Sequence, residues 1–406
     1  MAGLCDVAII GGGPYGLSLA THLRKKNIDF RIFGKPLDTW RAHMPKDMQL
    51  KSEGFASSLS APDPGATLKA YCASRGIAYQ DQSLPVPLSV FNDYAGWFQQ
   101  HHVPDLVEDL IVSLAQSTRG FALETESGDY FEARRVVNAT GITSFAHVAG
   151  KLRGLPGWAA SHSYDHREVS QFENREVIVM GVGASAIDLA ALLKDSGADV
   201  RILARRDRIA FHTAPDPMER SLLNQIQNPP TGIGPGWRSF FCVHAPLLFH
   251  RMPEKLRLRA TRNHLGPAPG WFMRERVEGR IAMLLGRELL HAQTEGDRVA
   301  LRVMDRNGDQ ETLTCDHVIG ATGYRPELYK LPYLSADLLN AIAQVENTAI
   351  LSDQFETTVP GLYFTGPAAA NSFGPLMRFM AGAEFTAPRL ANHLARSLRA
   401  NISRAA

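Results

Sequence analysis

Only four cysteines occur in the 406 residues, Cys5, Cys72, Cys242 and Cys315, and no two are spaced as C-x-x-C or C-x₄-C. A dithiol set beside a cofactor is therefore not expected, nor is chemistry that passes electrons through paired thiols. Scattered cysteines fit reduced thiols in a cytoplasm. Cys5 and Cys315 lie in apolar, strand-like surroundings and read as small core residues. An excess of one charge is missing too. Lys and Arg (43) nearly balance Asp and Glu (41), leaving a net charge of +2, which speaks against a nucleic-acid partner. No apolar run approaches the roughly 20 residues that span a bilayer, so no membrane partner is expected. The first strand starts by about Cys5, which leaves no room for a signal peptide, and a cytoplasmic location is expected. The His and Cys residues lack ligand spacing, so no metal is expected. The length is sufficient for two or three domains with buried cores.

What the chain does have is two dinucleotide-binding turns. Gly11-Gly12-Gly13-Pro14-Tyr15-Gly16 follows the apolar run Val7-Ala8-Ile9-Ile10. Gly181-Val182-Gly183-Ala184-Ser185-Ala186 follows Val177-Ile178-Val179-Met180. Each sits where a strand ends and an Ala/Leu-rich helix begins, the context that separates a fingerprint from a chance match. Glycine lets the backbone turn sharply and approach a pyrophosphate, and the helix then offers free N–H groups to that anion. Gly11, Gly13 and Gly16 are the expected contacts in the first unit, and Gly181, Gly183 and Ser185 in the second. Two dinucleotides in one chain point to electron transfer between a flavin and a nicotinamide.

The second strand of such a unit usually ends in an acid that holds a ribose hydroxyl. Here the strand Val200-Arg201-Ile202-Leu203 ends in Ala204-Arg205-Arg206. Two guanidinium groups lie where a 2′-phosphate would, and their forked donors favour NADPH over NADH. In the first unit the strand Phe30-Arg31-Ile32-Phe33 ends in Gly34-Lys35. The spacing from Gly11 to Gly34 equals that from Gly181 to Ala204, so the acid is absent rather than displaced.

The expected architecture is α/β, with two Rossmann-like dinucleotide-binding domains, each carrying a β-meander, the first interrupted by the second. The first domain would take residues 1–148, the second 149–316, and the chain would return to the first over 317–406. Strands at Phe121–Thr125 and Tyr130–Ala133 lead into Arg135–Asn138 and then Ala139-Thr140-Gly141. Strands at Val299–Val303 and Glu311–Thr314 lead likewise to His317–Gly320 and Ala321-Thr322-Gly323. The matched endings indicate a whole-domain duplication whose backbone passes close to each nucleotide through Thr140, Gly141, Thr322 and Gly323. Thr358 to Gly366 reads as a buried strand entering a further glycine turn, and Ala381 to Leu398 as a final helix. Residues 211–279, rich in Pro and Gly, interrupt the second domain as either a cap over the reaction site or a structural elaboration or oligomer contact.

Taken in order, these residues resemble the class B flavoprotein monooxygenases, the group of flavin-containing monooxygenases, Baeyer–Villiger enzymes and microbial ornithine and lysine N-hydroxylases. The resemblance covers nearly the whole chain, from Gly11–Gly16 through Asp38-Thr39-Trp40, Met48-Gln49-Leu50 and both Ala-Thr-Gly turns to Gly361–Gly366. The sequence departs from the fingerprint F-x-G-x-x-x-H-x-x-x-W/Y at Leu155, in the spacing before His162 and at its last aromatic position, so a Baeyer–Villiger reaction is not assigned. Phe55-Ala56-Ser57-Ser58-Leu59 lacks the lysine that the N-hydroxylases use near the substrate carboxylate. The overall pattern, including Ile32-Phe33-Gly34 and His162-Ser163-Tyr164-Asp165-His166, is most similar to a bacterial subgroup labelled FAD-dependent urate hydroxylase.

The resemblance implies FAD, NADPH and molecular oxygen as a co-substrate. Hydride would pass to the flavin and oxygen would be captured at its C4a position, for N- or C-hydroxylation of a small organic substrate. Trp40, Gln49, Lys51 and Asn371 would line the flavin face, with Phe373-Gly374-Pro375 beside it and Gly366 among the cofactor contacts; Gln49, Lys51 and Asn371 are the catalytic candidates. His43 and His162 read as structural. Two other readings stay open: an FAD/NADPH reductase or oxidase without oxygen insertion, and a non-catalytic redox sensor. A homo-oligomer is compatible with either.

Overall fold

The computed structural model describes residues 3–213, 226–264, 266 and 268–405. The apolar run ahead of the first glycine turn becomes β1 (Leu4–Ile10), where Val7, Ala8 and Ile9 are fully buried. Burial on both faces is what a central parallel strand requires, which is why the run does not alternate. β1 pairs in parallel with β2 (Phe30–Phe33) on one side, and Ile10 lies opposite Phe33. On its other side it pairs with β5 (Tyr130–Asn138), where Ile10 lies opposite Asn138. β3 (Ile111–Ser117) and β4 (Gly120–Thr125) extend this sheet antiparallel from the first half of β5. β16 (Leu362–Phe364) returns to lie parallel along its second half.

The second unit is built around β7 (Glu176–Met180). Its neighbours are β8 (Asp199–Ala204) and β13 (His317–Gly320), with β6 (Ala160–His162) and β9 (Ala282–Leu285) at the edges, all parallel. β10 (Glu288–Glu295), β11 (Arg298–Met304) and β12 (Gln310–Cys315) form a separate antiparallel sheet, and β14 (Gln344–Val345) and β15 (Thr348–Ala349) a short ribbon. The α/β architecture and both meanders thus follow the sequence, with one asymmetry. In the first domain β5 runs unbroken from meander into parallel sheet. In the second, Asp316 separates β12 from β13: its N–H donates to the Glu176 carbonyl at 2.9 Å, and its carboxylate accepts from the Glu176 N–H at 2.8 Å.

Three expectations change. β13 lies between β6 and β7 in the second sheet, so the boundary expected at 317 falls after the Ala321-Thr322-Gly323 turn. The strand expected from Thr358 shrinks to Leu362–Phe364, because Gly361 takes φ 85° immediately before it. The last helix spans Gly382–Ala405, with Pro388 inside it. The interruption between β8 and β9 includes residues 214–225, which lie outside the described residues. Beyond them it forms the helices Trp237–His244, Pro246–His250 and Glu254–Asn263. These leave the second domain and join the core of the first, where Cys242 and Phe249 are buried beside Phe355, Phe373 and Met377.

The edge strand β6 is fastened by a buried relay as well as by its ladder. His317 Nδ1–H donates to the Trp158 carbonyl at 2.7 Å, so its Nε2 accepts from the Ser161 hydroxyl at 2.7 Å. Ser161 Oγ then accepts from His166 Nε2–H at 2.6 Å, and His166 Nδ1 faces the Gln171 amide at 3.3 Å. The relay needs both imidazoles neutral. Burial, with His317 adding to it, pushes His166 from the ordinary 6.5 down to about 4. Between these two values the unfolded chain binds the proton that the folded one refuses, so stability rises with pH across that window. Lowering the pH from 6.5 toward 4 should therefore destabilise the protein by up to about 1.4 kcal/mol per unit, levelling off below 4. Urea unfolding across this range should show a flatter limb for His166→Gln; equal slopes in both proteins would remove the relay from the account.

Candidate functional site

Both glycine turns are set by a close backbone approach. Gly11 takes φ 122°, and its N–H donates to the Phe33 carbonyl at 2.8 Å. A Cβ there would stand 2.4 Å from the Ala139 carbonyl oxygen, and one on Gly16 would stand 1.9 Å from the Gly11 oxygen. Only hydrogen fits at either position. Gly13 differs, because a Cβ there would meet nothing within 4 Å. It caps the helix Pro14–Lys25 on the side left open for an anion. The second unit repeats the geometry: Gly181 takes φ 136°, donates to the Leu203 carbonyl at 2.9 Å, and a Cβ would lie 2.7 Å from the Ala321 oxygen. Gly183 caps the helix Ala184–Asp195, and Ser185 is exposed in its first turn. The structure thus brings each glycine turn against its own Ala-Thr-Gly turn.

The Ala-Thr-Gly turns are fixed from behind. Thr140 donates through its N–H and hydroxyl to Asn138 Oδ1 at 3.4 and 3.1 Å, and Asn138 donates to the Tyr333 hydroxyl. Thr322 donates to the His147 carbonyl. Gly141 and Gly323 take φ 68° and 82°. His162 Nδ1 accepts from the Tyr164 N–H at 3.1 Å, so its Nε2–H donates to the Gly323 carbonyl at 3.1 Å. Both its nitrogens are committed, and burial holds its pKa below the ordinary value. His43 stacks on Tyr164 at 3.6 Å between ring centroids and faces Asp38 at 3.4 Å. Both histidines act as structural groups, and His43 joins the domains. Beside them, the Lys46 N–H donates to the Arg167 carbonyl at 3.1 Å.

The missing ribose acid has a steric cause. Gly34 takes φ 126°, and a Cβ there would lie 3.2 Å from the Gly12 nitrogen and 3.4 Å from the Gly11 Cα. The positive φ disfavours any side chain at 34, and the glycine turn that the second strand crosses would have to give by a few tenths of an ångström to admit one. At the matching point of the second unit, Arg205 and Arg206 are exposed, with no hydrogen bond or ion pair to their side chains among the described residues. Asp207, the nearest acid in sequence, pairs with Arg306 at 3.0 Å instead.

The flavin-side candidates lie on two segments. Met48-Gln49-Leu50 is clamped to 86–88: the Leu50 N–H donates to the Val86 carbonyl at 2.8 Å and the Leu88 N–H to the Met48 carbonyl at 3.0 Å. Gln49 is half-buried on this strap, and Trp40 packs on Phe91 at 5.6 Å. Gly366 takes φ 65° against the Tyr15 ring, whose hydroxyl faces the Phe379 and Met377 carbonyls at 2.8 and 3.1 Å. Asn371 spends one amide proton on Thr348 Oγ1 at 2.9 Å. Lys51, just past the strap, is exposed to solvent, and Asp188 of the second domain acts on its charge.

The insertion seats on the same carboxy-terminal segment. His250 Nδ1 donates to the Ser372 carbonyl at 3.2 Å, Arg257 to the same oxygen at 3.3 Å, and Thr261 Oγ1 to the Ala370 carbonyl at 3.2 Å. Phe249 fills the notch at Gly374, where a Cβ would meet its ring at 3.1 Å. The insertion thus packs against the first domain. Sequence reasoning missed Tyr15, His250 and Asp188. Asp188 alone left a signal, as a lone acid in the apolar run Ala186 to Leu193.

Residues 8–228, more than half of the chain, match the family model described as pyridine nucleotide-disulphide oxidoreductase. A ferredoxin–NADP reductase of Gluconacetobacter diazotrophicus is 28% identical over 368 residues, covering 90% of this chain and 84% of the relative. Among solved structures, an ornithine N-hydroxylase of Kutzneria sp. 744 superposes with a TM-score of 0.78 at 15% identity, over 97% of this chain and 100% of that one. An ornithine hydroxylase of Pseudomonas aeruginosa gives 0.75 at 16% identity, over 98% and 100%. At such identities the structural likeness speaks for the fold.

Gly13→Ala isolates the ligand from the fold. Because its Cβ meets no protein atom within 4 Å, the variant should unfold at the wild-type urea midpoint. Its dinucleotide affinity should drop by about tenfold or more, equivalent to about 1.4 kcal/mol. Undiminished binding in a titration would show that nothing approaches this turn.

Proposed function

We propose that this chain, which belongs to the pyridine nucleotide-disulphide oxidoreductase family, is an FAD-dependent monooxygenase that draws electrons from NADPH and inserts one oxygen atom into a small organic substrate. The observation that carries this reading is the helical insertion seated on Ala370, Ser372 and Gly374. A flavin used only to pass electrons can stay open to solvent, whereas one used to activate oxygen must be kept from water. When bound, FAD supplies the hydride acceptor and the oxygen chemistry. This chain's residues would bind, orient and exclude water. Gly11, Gly13 and Gly16 would hold the FAD pyrophosphate, and Gly181, Gly183 and Ser185 that of NADPH. Gln49, Lys51 and Asn371 would face the reaction space.

Four free, buried cysteines give no support to the disulphide chemistry in the family's description. They fit a cytoplasmic protein, and no helix among the described residues is long and apolar enough to cross a membrane. A second reading, electron delivery without oxygen insertion, is favoured by the ferredoxin–NADP reductase relative. A screen of small organic substrates separates the two, with urate included first on the subgroup resemblance. A monooxygenase couples stimulated NADPH oxidation to a product heavier by one oxygen. A reductase turns over rapidly with a one-electron acceptor and gives no such product.

Two variants test the assignment of residues. Arg205 and Arg206, with no partner among the described residues, should select the 2′-phosphate. Charge-assisted contacts of this kind contribute about 1.5–3 kcal/mol each, so changing both to Ala should raise the Michaelis constant for NADPH at least about tenfold and leave that for NADH nearly unchanged. Equal use of both nucleotides by the wild type would defeat this. Gln49→Ala should keep FAD but uncouple the enzyme, so that hydrogen peroxide replaces oxygenated product. Loss of one preorganised hydrogen bond where charge develops costs about 2.7–4 kcal/mol. Wild-type coupling in the variant would return Gln49 to a loop amide.

A further inference from the structure

The final helix, Gly382–Ala405, has two faces. Leu390, Leu394 and Leu398 are buried in the core of the first domain. Asn392, Arg396 and Arg399, at i, i+4 and i+7, form an exposed polar stripe away from these leucines. The first nucleotide helix, Pro14–Lys25, packs alongside the final helix. Lys25, Lys26 and Asn27, at its carboxy-terminal end, enclose a pocket of about 560 Å³ together with that stripe and the small Ala395.

The lining is made of donors. Four of its side chains are cationic, two are amides, and none is a carboxylate. Lys25 and Lys26 have a local reason to be there, because cations complement the negative end of a helix. Arg396 and Arg399 have no such reason, since they lie more than one turn before the end of theirs. Three residues apart on one helix, their like charges repel. No ion pair relieves the cluster: among the described residues none of the four cations meets a carboxylate, whereas the adjacent Arg24 pairs with Asp105 at 2.7 Å. Arg396 donates through Nε to the Asn392 carbonyl at 3.3 Å, which leaves its two terminal nitrogens unassigned. A concave wall of unpaired cations is thus brought together from opposite ends of the chain.

We infer that this pocket binds a diphosphate group, at a site separate from both glycine turns. A single phosphate carries a charge of about −1.5 to −2 near neutral pH, so two joined phosphates match four cations. The guanidinium forks offer paired donors to phosphate oxygens, and the lysines act as point charges from the other wall. Asn27 and Asn392 add uncharged donors. The first glycine turn lies at the opposite end of Pro14–Lys25, and 12 residues at about 1.5 Å each put it roughly 18 Å away. The site therefore does not depend on which nucleotides the two turns hold.

Free pyrophosphate and a nucleoside diphosphate both carry this group. Calorimetric titration of the FAD-loaded protein with pyrophosphate, ADP and orthophosphate, in excess NADP+ to occupy the second turn, tests the site. Pyrophosphate should bind at least about tenfold tighter than orthophosphate, the effect of a second set of charge-assisted contacts. Equal affinity for pyrophosphate and ADP would identify the diphosphate alone as the ligand, and tighter binding of ADP would show that the nucleoside is read as well; either result supports the site. Arg396→Gln combined with Arg399→Gln should weaken pyrophosphate at least about tenfold. Lys25→Gln combined with Lys26→Gln should do the same from the other wall, and both variants should keep FAD. The arginine variant should melt no lower than the wild type without ligand, since it removes a repulsion, and pyrophosphate should raise the melting temperature of the wild type alone. Equal affinity for orthophosphate and pyrophosphate, no binding of pyrophosphate, or undiminished binding in either variant would overturn the inference and leave a solvated basic face.

Discussion

The structure depends on one contact made twice: a glycine backbone pressed against the carbonyl of an Ala-Thr-Gly turn. At Gly11 and at Gly181 the neighbouring oxygen, of Ala139 and Ala321 respectively, stands where a Cβ would be. Nothing larger than hydrogen satisfies both the turn and the approach. The contact ties the end of a strand that starts each unit to the end of the strand that closes it. The helix N-terminus is thereby aimed at the same space as the following turn. Other features are fitted around it. Gly34 crosses the first glycine turn at backbone distance, and Gly366 rests on the ring of Tyr15.

The parts of this arrangement that depend on backbone geometry were legible in the sequence, because few structures besides a tight backbone approach call for glycine at a fixed offset from an apolar strand. Both sheets, both meanders and both Ala-Thr-Gly turns followed from that. The boundary at 317 failed for a different reason. His317 to Gly320 continues a meander in sequence, and only the register with Val177 to Met180 reveals that it closes the second sheet. The absent acid at Gly34 was visible, but its cause was not, since the crowding comes from Gly12 across the turn. The destination of the insertion was illegible as well. Phe249 and His250 look like any apolar and polar pair until Gly374 and Ser372 come opposite them, more than a hundred residues away.

Polar groups in the interior divide into two kinds. His162, His317 and Ser161 have every proton assigned by the protein itself, and they hold strands and turns in place. Asp188 and the two arginines after β8 have no such assignment among the described residues. The first kind contributes order to the fold. The second lies around the second nucleotide turn, where preorganised but unmatched groups are of use to a ligand.

The insertion has a mechanical consequence. The second domain is joined to the first at the stack of His43 on Tyr164, and again where its own helices grip Ser372 and Gly374. The insertion belongs in sequence to the second domain but contributes side chains to the core of the first. A displacement of the second domain would therefore have to strain the insertion or unseat it from Ser372 and Gly374.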